Sequence, residues 1–400
     1  MLLFVSLRST AAGKAFVVGL GYAISQGVVL LATPWLARRH EAAEFGVVAN
    51  LISVANIAVA VGALRLDQAM LVADSDDDAA GLRDCSLVLA LVWGFMSIPV
   101  SALSGAWAQP WATSVLTAGL TIFLATATQT TAMALLRDGR VRTVGLLRAS
   151  QGILYVILAF TTGYSLGFCF ALSWSAGAMV FLLWRGEPPR LKPLVVLVSR
   201  YRPFWLIGSF GSILDVVGFS MLVWVMSSGY GLAECGRVTQ VQRVVGAPAM
   251  LLALPLSQLL QWKWAQELRA GGDGLSSSFS QAFRLLVALA MLWIVTILLF
   301  GPAIVRGVLG AGWAGDRWEI AALSIAVCAR GIVSPLSGLL VVKRAFSQAV
   351  GWQASYLATA LVALPLASNQ LDLRSFIFVF VALDVLMYSI YLFIICRSLR

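Results

Sequence analysis

Charged side chains stand inside apolar segments of this chain, where charge is costly. Arg237, Gln240 and Arg243 follow one another at three-residue steps in one such segment, so on a helix they occupy an arc of about 120°. An unpaired charge at the centre of a bilayer costs roughly 2.5 to 3.5 kcal/mol, so these arginines should face a polar cleft or a carboxylate. Arginine offers permanently charged, bidentate donors that suit an anionic group such as a diphosphate. We therefore predict a substrate-binding face here, with pairing of Arg237 to Glu234 as the alternative.

Two aspartates also lie inside apolar segments, Asp215 and Asp384. A carboxylate whose pKa is raised by desolvation can load a proton on one side of a membrane and release it on the other. Both are predicted ion-coupling sites for H+ or Na+. The alternative is a structural ion pair, for instance Asp215 with Arg243 or Asp384 with Arg330. Arg330 otherwise joins the predicted substrate-binding arginines.

The elements that must hold these charges are membrane-spanning helices. Of the 400 residues, 60% are hydrophobic and 12% are charged, and the mean hydropathy is +0.90. Apolar runs of about 20 residues, long enough to cross a bilayer, recur along the whole chain and predict an all-α membrane protein. Twelve spans are predicted, at residues 15–36, 45–64, 85–107, 111–136, 146–163, 165–184, 203–227, 235–260, 282–303, 319–342, 347–367 and 374–396.

The basic residues predict which way the helices cross. Twenty of the 28 Lys and Arg residues, Arg148 among them, fall on the same side as the N-terminus. The opposite side holds five, namely Arg38, Arg39, Arg306, Arg317 and Arg374. The positive-inside rule then predicts that both termini are cytoplasmic. The basic residues follow alternate loops instead of one face, so no nucleic-acid partner is expected.

The chain contains an internal repeat with an offset of 190 residues. Ala43-Glu44-x-Gly46 recurs as Ala233-Glu234-x-Gly236, and the matches continue into the second and eighth spans. Each motif falls where a short turn enters a helix, which favours a helix-start role for the two glutamates over a ligand role. Two six-helix lobes, 1–190 and 191–400, are predicted. Because six is even, both lobes start on one side and are related by a pseudo-two-fold axis along the membrane normal.

The repeat extends the predicted polar face to the first lobe. Asn50, with Asn56 beyond it, lies where the second lobe has its arginine face, and both are predicted substrate-binding residues. At the end of the second span, Arg65 and Asp67 form a candidate gate pair, with a solvated helix end as the alternative. No Cys or His spacing suggests a metal site or a cofactor. No His/Asp/Glu cluster suits acid-base catalysis, so an enzyme is not expected.

The segment from residue 32 to 82 resembles the bacterial polysaccharide transporter family, the O-antigen and capsule repeat-unit flippases. In that family, a proline and a Leu-Arg pair end the first helix, and a Glu/Asp-Phe-Gly motif begins the second. An arginine follows at the end of the second helix, and an acidic, alanine-rich segment comes after it. The elements that carry this resemblance are Pro34, Leu36 to Arg38, Glu44 to Gly46, Arg65 with Asp67, and Asp74 to Ala80. Residues 200–217 and 236–261 are similar to the seventh and eighth helices of that family.

The resemblance implies a member of the multidrug/oligosaccharidyl-lipid/polysaccharide exporter superfamily in the bacterial inner membrane. Its cargo would be a polyprenyl-diphosphate-linked oligosaccharide, flipped from the cytoplasmic to the periplasmic leaflet for lipopolysaccharide, capsule or exopolysaccharide synthesis. Partners would then be this lipid-linked oligosaccharide, membrane lipids and the polysaccharide polymerase or chain-length proteins. Two alternatives stay open: a multidrug/cation antiporter of the same superfamily, and a membrane-embedded polysaccharide polymerase or glycosyltransferase.

Overall fold

The fold was analysed in a computed structural model that describes residues 11–71, 73, 75–103, 111–177, 199–202, 209–269, 271, 274–313, 315–343 and 345–399. All regular structure in these residues is helical. The helices of the first half are α1 (Ala11–Arg39), α2 (Ala42–Val61), α3 (Leu66–Leu71), α4 (Asp76–Leu103), α5 (Trp111–Arg137), α6 (Val141–Thr161) and α7 (Leu166–Ser173). Those of the second half are α8 (Ser209–Gly229), α9 (Gly231–Arg269), α10 (Leu275–Leu309), α11 (Arg317–Leu336), α12 (Gly338–Val342), α13 (Phe346–Gln370) and α14 (Leu373–Arg397).

The all-α membrane architecture predicted from hydropathy is confirmed. Eleven of the twelve predicted spans coincide with a helix of 20 or more residues in the described part of the chain, and α3 and α12 are short additions. Within the described residues, ten helices are long and apolar enough to cross a membrane. The sixth predicted span is described only as far as Gly177, and α9 is a single helix of 39 residues.

The connector predicted between the second and third spans is mostly helical. The helix of the third span begins at Asp76, nine residues before the predicted start, because Ser75 Oγ accepts the Asp78 amide at 3.0 Å. Three aspartates in the first turn favour this start through the helix dipole. Before it, α3 is buried against α4 and α5. Arg137 closes the end of α3 by donating to the carbonyls of Met70 (2.6 Å) and Ala73 (3.1 Å).

The described residues group into two compact units. The N-terminal unit contains Leu20–Val29 and Ala43–Trp224, and the C-terminal unit contains the described part of residues 1–19, Leu30–Ala42 and Val225–Arg400. The lobe boundary predicted at residue 190 lies outside the described residues and stays a prediction.

Each unit has one central, largely buried helix. In the N-terminal unit, α5 contacts α3, α4, α6 and α7. In the C-terminal unit, α11 contacts α9, α10 and α14. These helices belong to the fourth and the tenth predicted span, which is the same place in each half of the repeat. Side chains on α5 and α11 are therefore well placed to hold buried polar groups.

Small residues bring α1 and α6 into backbone contact within the N-terminal unit. A Cβ atom on Gly21 would lie 2.2 Å from the carbonyl oxygen of Gly145, and one on Gly152 would lie 2.4 Å from that of Ser25. Glycine at these positions is what permits the helices to approach so closely, as small residues do in other membrane bundles.

The two repeated glutamates both stand in the first turn of a helix, as predicted. Glu44 Oε2 accepts the Leu166 amide at 3.1 Å, so it also caps the start of α7. Glu234 accepts from Arg237 Nε at 2.7 Å. The motif therefore performs a helix-end role in each half, although the partner differs.

Candidate functional site

Arg330 and Asp384 form a closed ion pair in the C-terminal unit. Two guanidinium nitrogens of Arg330 each donate to one carboxylate oxygen at 2.8 Å, and Asp384 is fully buried. Tyr356 donates its hydroxyl to the same carboxylate at 2.9 Å. The rings of Phe380 and Tyr388 lie 5.6 and 5.9 Å from the guanidinium carbon. The structural-pair alternative for these two residues is thus the arrangement observed, and the guanidinium charge is already compensated.

Arg237 is also compensated by carboxylates. Its Nε donates to Glu234 at 2.7 Å, and a second nitrogen donates to Glu319 of α11 at 3.0 Å. Gly315 packs closely against the Arg237–Glu319 pair. A Cβ atom at Gly315 would lie 2.4 Å from a guanidinium nitrogen of Arg237 and 2.4 Å from Glu319 Oε2. The predicted alternative, in which Arg237 pairs with Glu234, is therefore observed, and Glu319 was not anticipated.

The other members of the predicted substrate-binding face differ in their surroundings. Gln240 is buried and its Oε1 has no hydrogen-bond partner, whereas Arg243 is half-buried and interacts with neighbours. Asn50 is half-buried and donates to the Gly46 carbonyl of its own helix at 3.0 Å, while Asn56 is exposed. Six residues separate the asparagines, so they point about 120° apart around α2 and do not share one face.

A polar cluster that the sequence did not predict lies in the N-terminal unit. Arg148 of α6 is buried and donates to Gln129 Oε1 of α5. Gln129 in turn donates to Asp67 Oδ2 at 3.4 Å, and the ring of Tyr22 lies 4.9 Å from the Arg148 guanidinium carbon. We name Arg148, Gln129, Asp67 and Tyr22 the buried polar cluster. Arg148 was predicted two residues inside the span 146–163, at its cytoplasmic end. The helix α6 begins earlier, at Val141, so this side chain lies two turns into the helix.

Arg65 reaches the same region from a strained turn. Leu64 and Arg65 both have a left-handed backbone, with φ of 48° and 56°, between α2 and α3. Such conformations cost of order 1 kcal/mol or more for residues other than glycine, and they persist where surrounding contacts fix them. The Arg65 guanidinium donates to Ser212 Oγ and lies within electrostatic range of Asp67 and Asp215.

Asp67 is buried, so the solvated helix end considered for it is not what the structure shows. Burial raises the pKa of the Asp67 carboxyl, and the nearby positive charge of Arg65 opposes that rise. No ion pair within 4.0 Å is recorded between Arg65 and Asp67 in the described residues. Their role as a gate remains a prediction.

Several donors in this region have no acceptor. Arg65 Nε, Arg148 Nε and Gln151 Nε2 are buried without a hydrogen-bond partner. Five threonines of α5 are also buried, and some of their hydroxyl groups bond to main-chain oxygens, as Thr126 does to Ala58 at 3.3 Å. A buried donor left unmatched costs roughly 1 to 3 kcal/mol, so an oxygen acceptor at these donors would be stabilising.

The sequence held one usable signal for this cluster. The segment ATATQTTA at 125–132 is polar only through threonine and glutamine and lies inside an apolar span. A glutamine at the centre of a span requires a buried partner. The described residues contain no group of three or more Cys, His, Asp or Glu side chains that could hold a metal ion.

No protein-family model matches the chain. No curated protein matches it either. Its structure is similar to those of multidrug resistance MATE family transporters of the MOP superfamily. The outward-facing conformation of one gives a TM-score of 0.64 at 14% identity, covering 98% of both chains. An inward-facing conformation gives 0.63 at 12% identity, covering 99% of this chain and 97% of that chain.

A third similar structure is a MOP superfamily transporter from Pyrococcus furiosus whose reversed pocket polarity suggests a different function. It gives a TM-score of 0.56 at 12% identity, covering 98% of this chain and 97% of that chain. At these identities the similarity establishes the fold. The chain has the fold of MATE family transporters along nearly its whole length.

Proposed function

We propose that this protein is a membrane transporter of the MOP superfamily that moves an amphipathic cargo by alternating access. The observation that carries the proposal is the similarity in fold, which extends over 98% of this chain and of a MATE transporter. The ten candidate membrane spans and the buried polar cluster support it, since intramembrane polar groups commonly mark cargo or ion pathways.

The first candidate cargo class is that of multidrug or cation antiporters. The neighbouring structures described as multidrug transporters support this class at least as well as they support lipid flipping. The ion pairs support it too. The cationic face expected from the sequence depended on Arg237, Arg243 and Arg330, and two of these are held by carboxylates. An interior with compensated arginines repels a cationic drug less than a chamber of free arginines would.

The second candidate is the lipid-linked oligosaccharide suggested by the sequence resemblance. The unmatched donors of Arg65, Arg148 and Gln151 favour it, because phosphate oxygens would accept from them. The Pyrococcus transporter with a reversed pocket polarity supports the idea that cargo class varies within this fold. The inner-membrane location and the cytoplasmic termini belong to this proposal as well.

The ion pairs also change which carboxylate is the better coupling candidate. Protonating Asp384 would leave the buried guanidinium of Arg330 without its counter-charge, and breaking such a pair costs about 3 to 5 kcal/mol. Asp67 accepts a long side-chain hydrogen bond from Gln129 at 3.4 Å and has no such bidentate ion-pair partner. We therefore propose Asp67 as the ion-coupling residue, with Asp215 as the second carboxylate in that unit.

One reconstitution distinguishes the two cargo classes. Purified protein in sealed liposomes is tested for movement of a fluorescent cationic dye and, separately, for leaflet exchange of a polyprenyl-diphosphate oligosaccharide. Arg148→Met is compared with Arg142→Met, whose arginine is exposed on the same helix. Movement of the dye supports an antiporter. Exchange of the oligosaccharide by the wild type and by Arg142→Met, but not by Arg148→Met, supports a flippase. Movement of neither cargo under H+ or Na+ gradients of either direction would contradict a transporter.

A further inference from the structure

Three exposed arginines surround one end of α10 in the C-terminal unit. Arg38 donates to the Gly307 carbonyl at 3.3 Å and to that of Pro34 at 2.9 Å. Arg306 Nε donates to the Pro302 carbonyl at 3.1 Å, and Arg317 donates to the Leu299 carbonyl at 3.3 Å. We name Arg38, Arg306 and Arg317 the arginine collar. All three guanidinium groups are therefore anchored to main-chain carbonyls of helices.

The anchoring points lie close together on α10. Leu299 and Gly307 are eight residues apart, which is about 12 Å along the helix, and the three accepting carbonyls fall within an arc of about 140°. A guanidinium has five N–H donors. Arg38 uses two of these in the bonds above, and Arg306 and Arg317 use one each. Most of the donors of the collar therefore stay available to another acceptor.

No carboxylate in the described residues is within ion-pairing distance of the collar. The two acidic side chains at the start of α11 have other partners. Asp316 pairs with Arg374 at 3.0 Å, and Glu319 pairs with Arg237. The collar consequently has three uncompensated positive charges on a small part of the surface.

Large apolar side chains adjoin these charges. Leu299 and Phe300 on α10 are more than half exposed, as are Trp318 beside Arg317 and Trp35 on the helix of Arg38. The rest of α10 is also mostly exposed, although it is among the most apolar spans of the chain. This combination of exposed aliphatic residues, tryptophans and positive charges is typical of the depth at which lipid tails meet headgroups.

We propose that the arginine collar binds the phosphate groups of anionic phospholipids in the leaflet at that end of α10. Guanidinium groups donate in pairs to phosphate oxygens, and the exposed apolar surface of α10 contacts the acyl chains of the same lipid. The inference requires only that the chain spans a membrane, so it does not depend on the cargo. It also gives a role to Arg38, Arg306 and Arg317, which are three of the five arginines predicted on the side that the positive-inside rule leaves poor in cations.

The test measures lipid binding to purified full-length protein in detergent. Phosphatidylglycerol and phosphatidylcholine are titrated against the wild type, the triple variant Arg38→Gln, Arg306→Gln, Arg317→Gln, and Arg284→Gln. Arg284 is the matched control, because it is exposed at the opposite end of α10 and donates to its own i−4 carbonyl at 3.3 Å, as Arg306 does. Bound lipid is counted by native mass spectrometry.

The wild type should prefer phosphatidylglycerol, and raising the salt concentration should weaken this preference. The triple variant should bind phosphatidylglycerol about 100-fold more weakly, while Arg284→Gln should behave as wild type. Unchanged binding by the triple variant, or an equal loss in Arg284→Gln, would overturn the proposal. If the triple variant does not fold, the single variants Arg306→Gln and Arg317→Gln are measured against the same control. Each should then lose part of the preference.

Discussion

Arg330 and Asp384 are joined by two parallel hydrogen bonds of 2.8 Å across α11 and α14. This geometry is the strong, bidentate form of the arginine-carboxylate pair. Tyr356 donates a further hydrogen bond to Asp384, and the rings of Phe380 and Tyr388 lie beside the guanidinium group. The pair links the central helix of the C-terminal unit to its last helix, and its charges compensate each other without a ligand.

Removing one partner of this pair should destabilise the protein. Asp384→Asn leaves a buried guanidinium without counter-charge, so we expect a loss of about 3 to 5 kcal/mol in the free energy of unfolding. Thermal unfolding in detergent, followed by size-exclusion chromatography, measures the change. Tyr356→Phe, which removes one hydrogen bond, should cost only about 1 kcal/mol. The double variant Arg330→Met, Asp384→Leu should recover most of the stability, and a double variant as unstable as Asp384→Asn would contradict the pair's structural role.

The close contact of α1 with α6 should tolerate no side chain. Gly21→Ala places a Cβ 2.2 Å from the Gly145 carbonyl oxygen, so the helices must separate, at a cost of about 1 to 3 kcal/mol. Gly27→Ala on the same helix meets nothing within 4 Å and should be neutral or slightly stabilising. Melting temperatures of the two variants, measured side by side, give the comparison. Equal temperatures would show that the contact does not constrain the bundle.

The buried polar cluster should require the shape of arginine as well as its charge. Arg148→Lys keeps the cation but loses the planar group that donates to Gln129 and faces the Tyr22 ring. We expect a loss of about 1 to 3 kcal/mol in stability, because buried Gln129 loses its donor. Arg142→Lys, on the exposed side of α6, should show no change. A wild-type melting temperature for Arg148→Lys would contradict the arrangement described for the cluster.

Asp67 should make stability depend on pH. Burial raises the pKa of Asp67 in the folded state above the unfolded value of about 3.9. The contribution of Asp67 to the free energy of unfolding is therefore fully present below about pH 3.9. The contribution is lost as the pH rises through the folded pKa. Asp67→Asn does not titrate, so its melting temperature relative to wild type should increase between pH 4.5 and pH 8. Asp138→Asn, at an exposed position, serves as the control. A difference that stays constant across this range would contradict the raised pKa.

Hydropathy predicted the membrane spans well because length and apolar character suffice for that purpose. The start of α4 was misplaced because three aspartates lowered the local hydropathy, although the same residues form the favourable first turn of the helix. Arg330 lies in a candidate membrane span, as predicted, and the position of Arg237 within the membrane stays a prediction. Their partners were not fixed by the sequence, since Glu319 and Asp384 are 82 and 54 residues away along the chain.

The buried polar cluster was missed for a different reason. Arg148 follows three other arginines and lies two residues inside the predicted span, so the sequence indicates a residue of the helix end. The helix starts five residues earlier than predicted, at Val141. Asp67 was noticed only as a partner of Arg65, because its contact with Gln129 depends on the packing of α3 against α5. Local patterns therefore predict which residues are polar within the membrane domain, and tertiary packing decides which of them meet.

Uphill transport tests the central claim most directly. Wild-type protein, shown to be monodisperse, is reconstituted in sealed liposomes, and accumulation of the cationic dye against its own concentration gradient is measured under imposed H+ and Na+ gradients. The proposed function predicts gradient-driven accumulation in the wild type and its loss in Asp67→Asn, with Asp138→Asn unaffected. Accumulation that continues unchanged in Asp67→Asn would contradict coupling at this residue. If the folded wild type accumulates neither the dye nor the lipid-linked oligosaccharide under any gradient, the protein is not the transporter proposed.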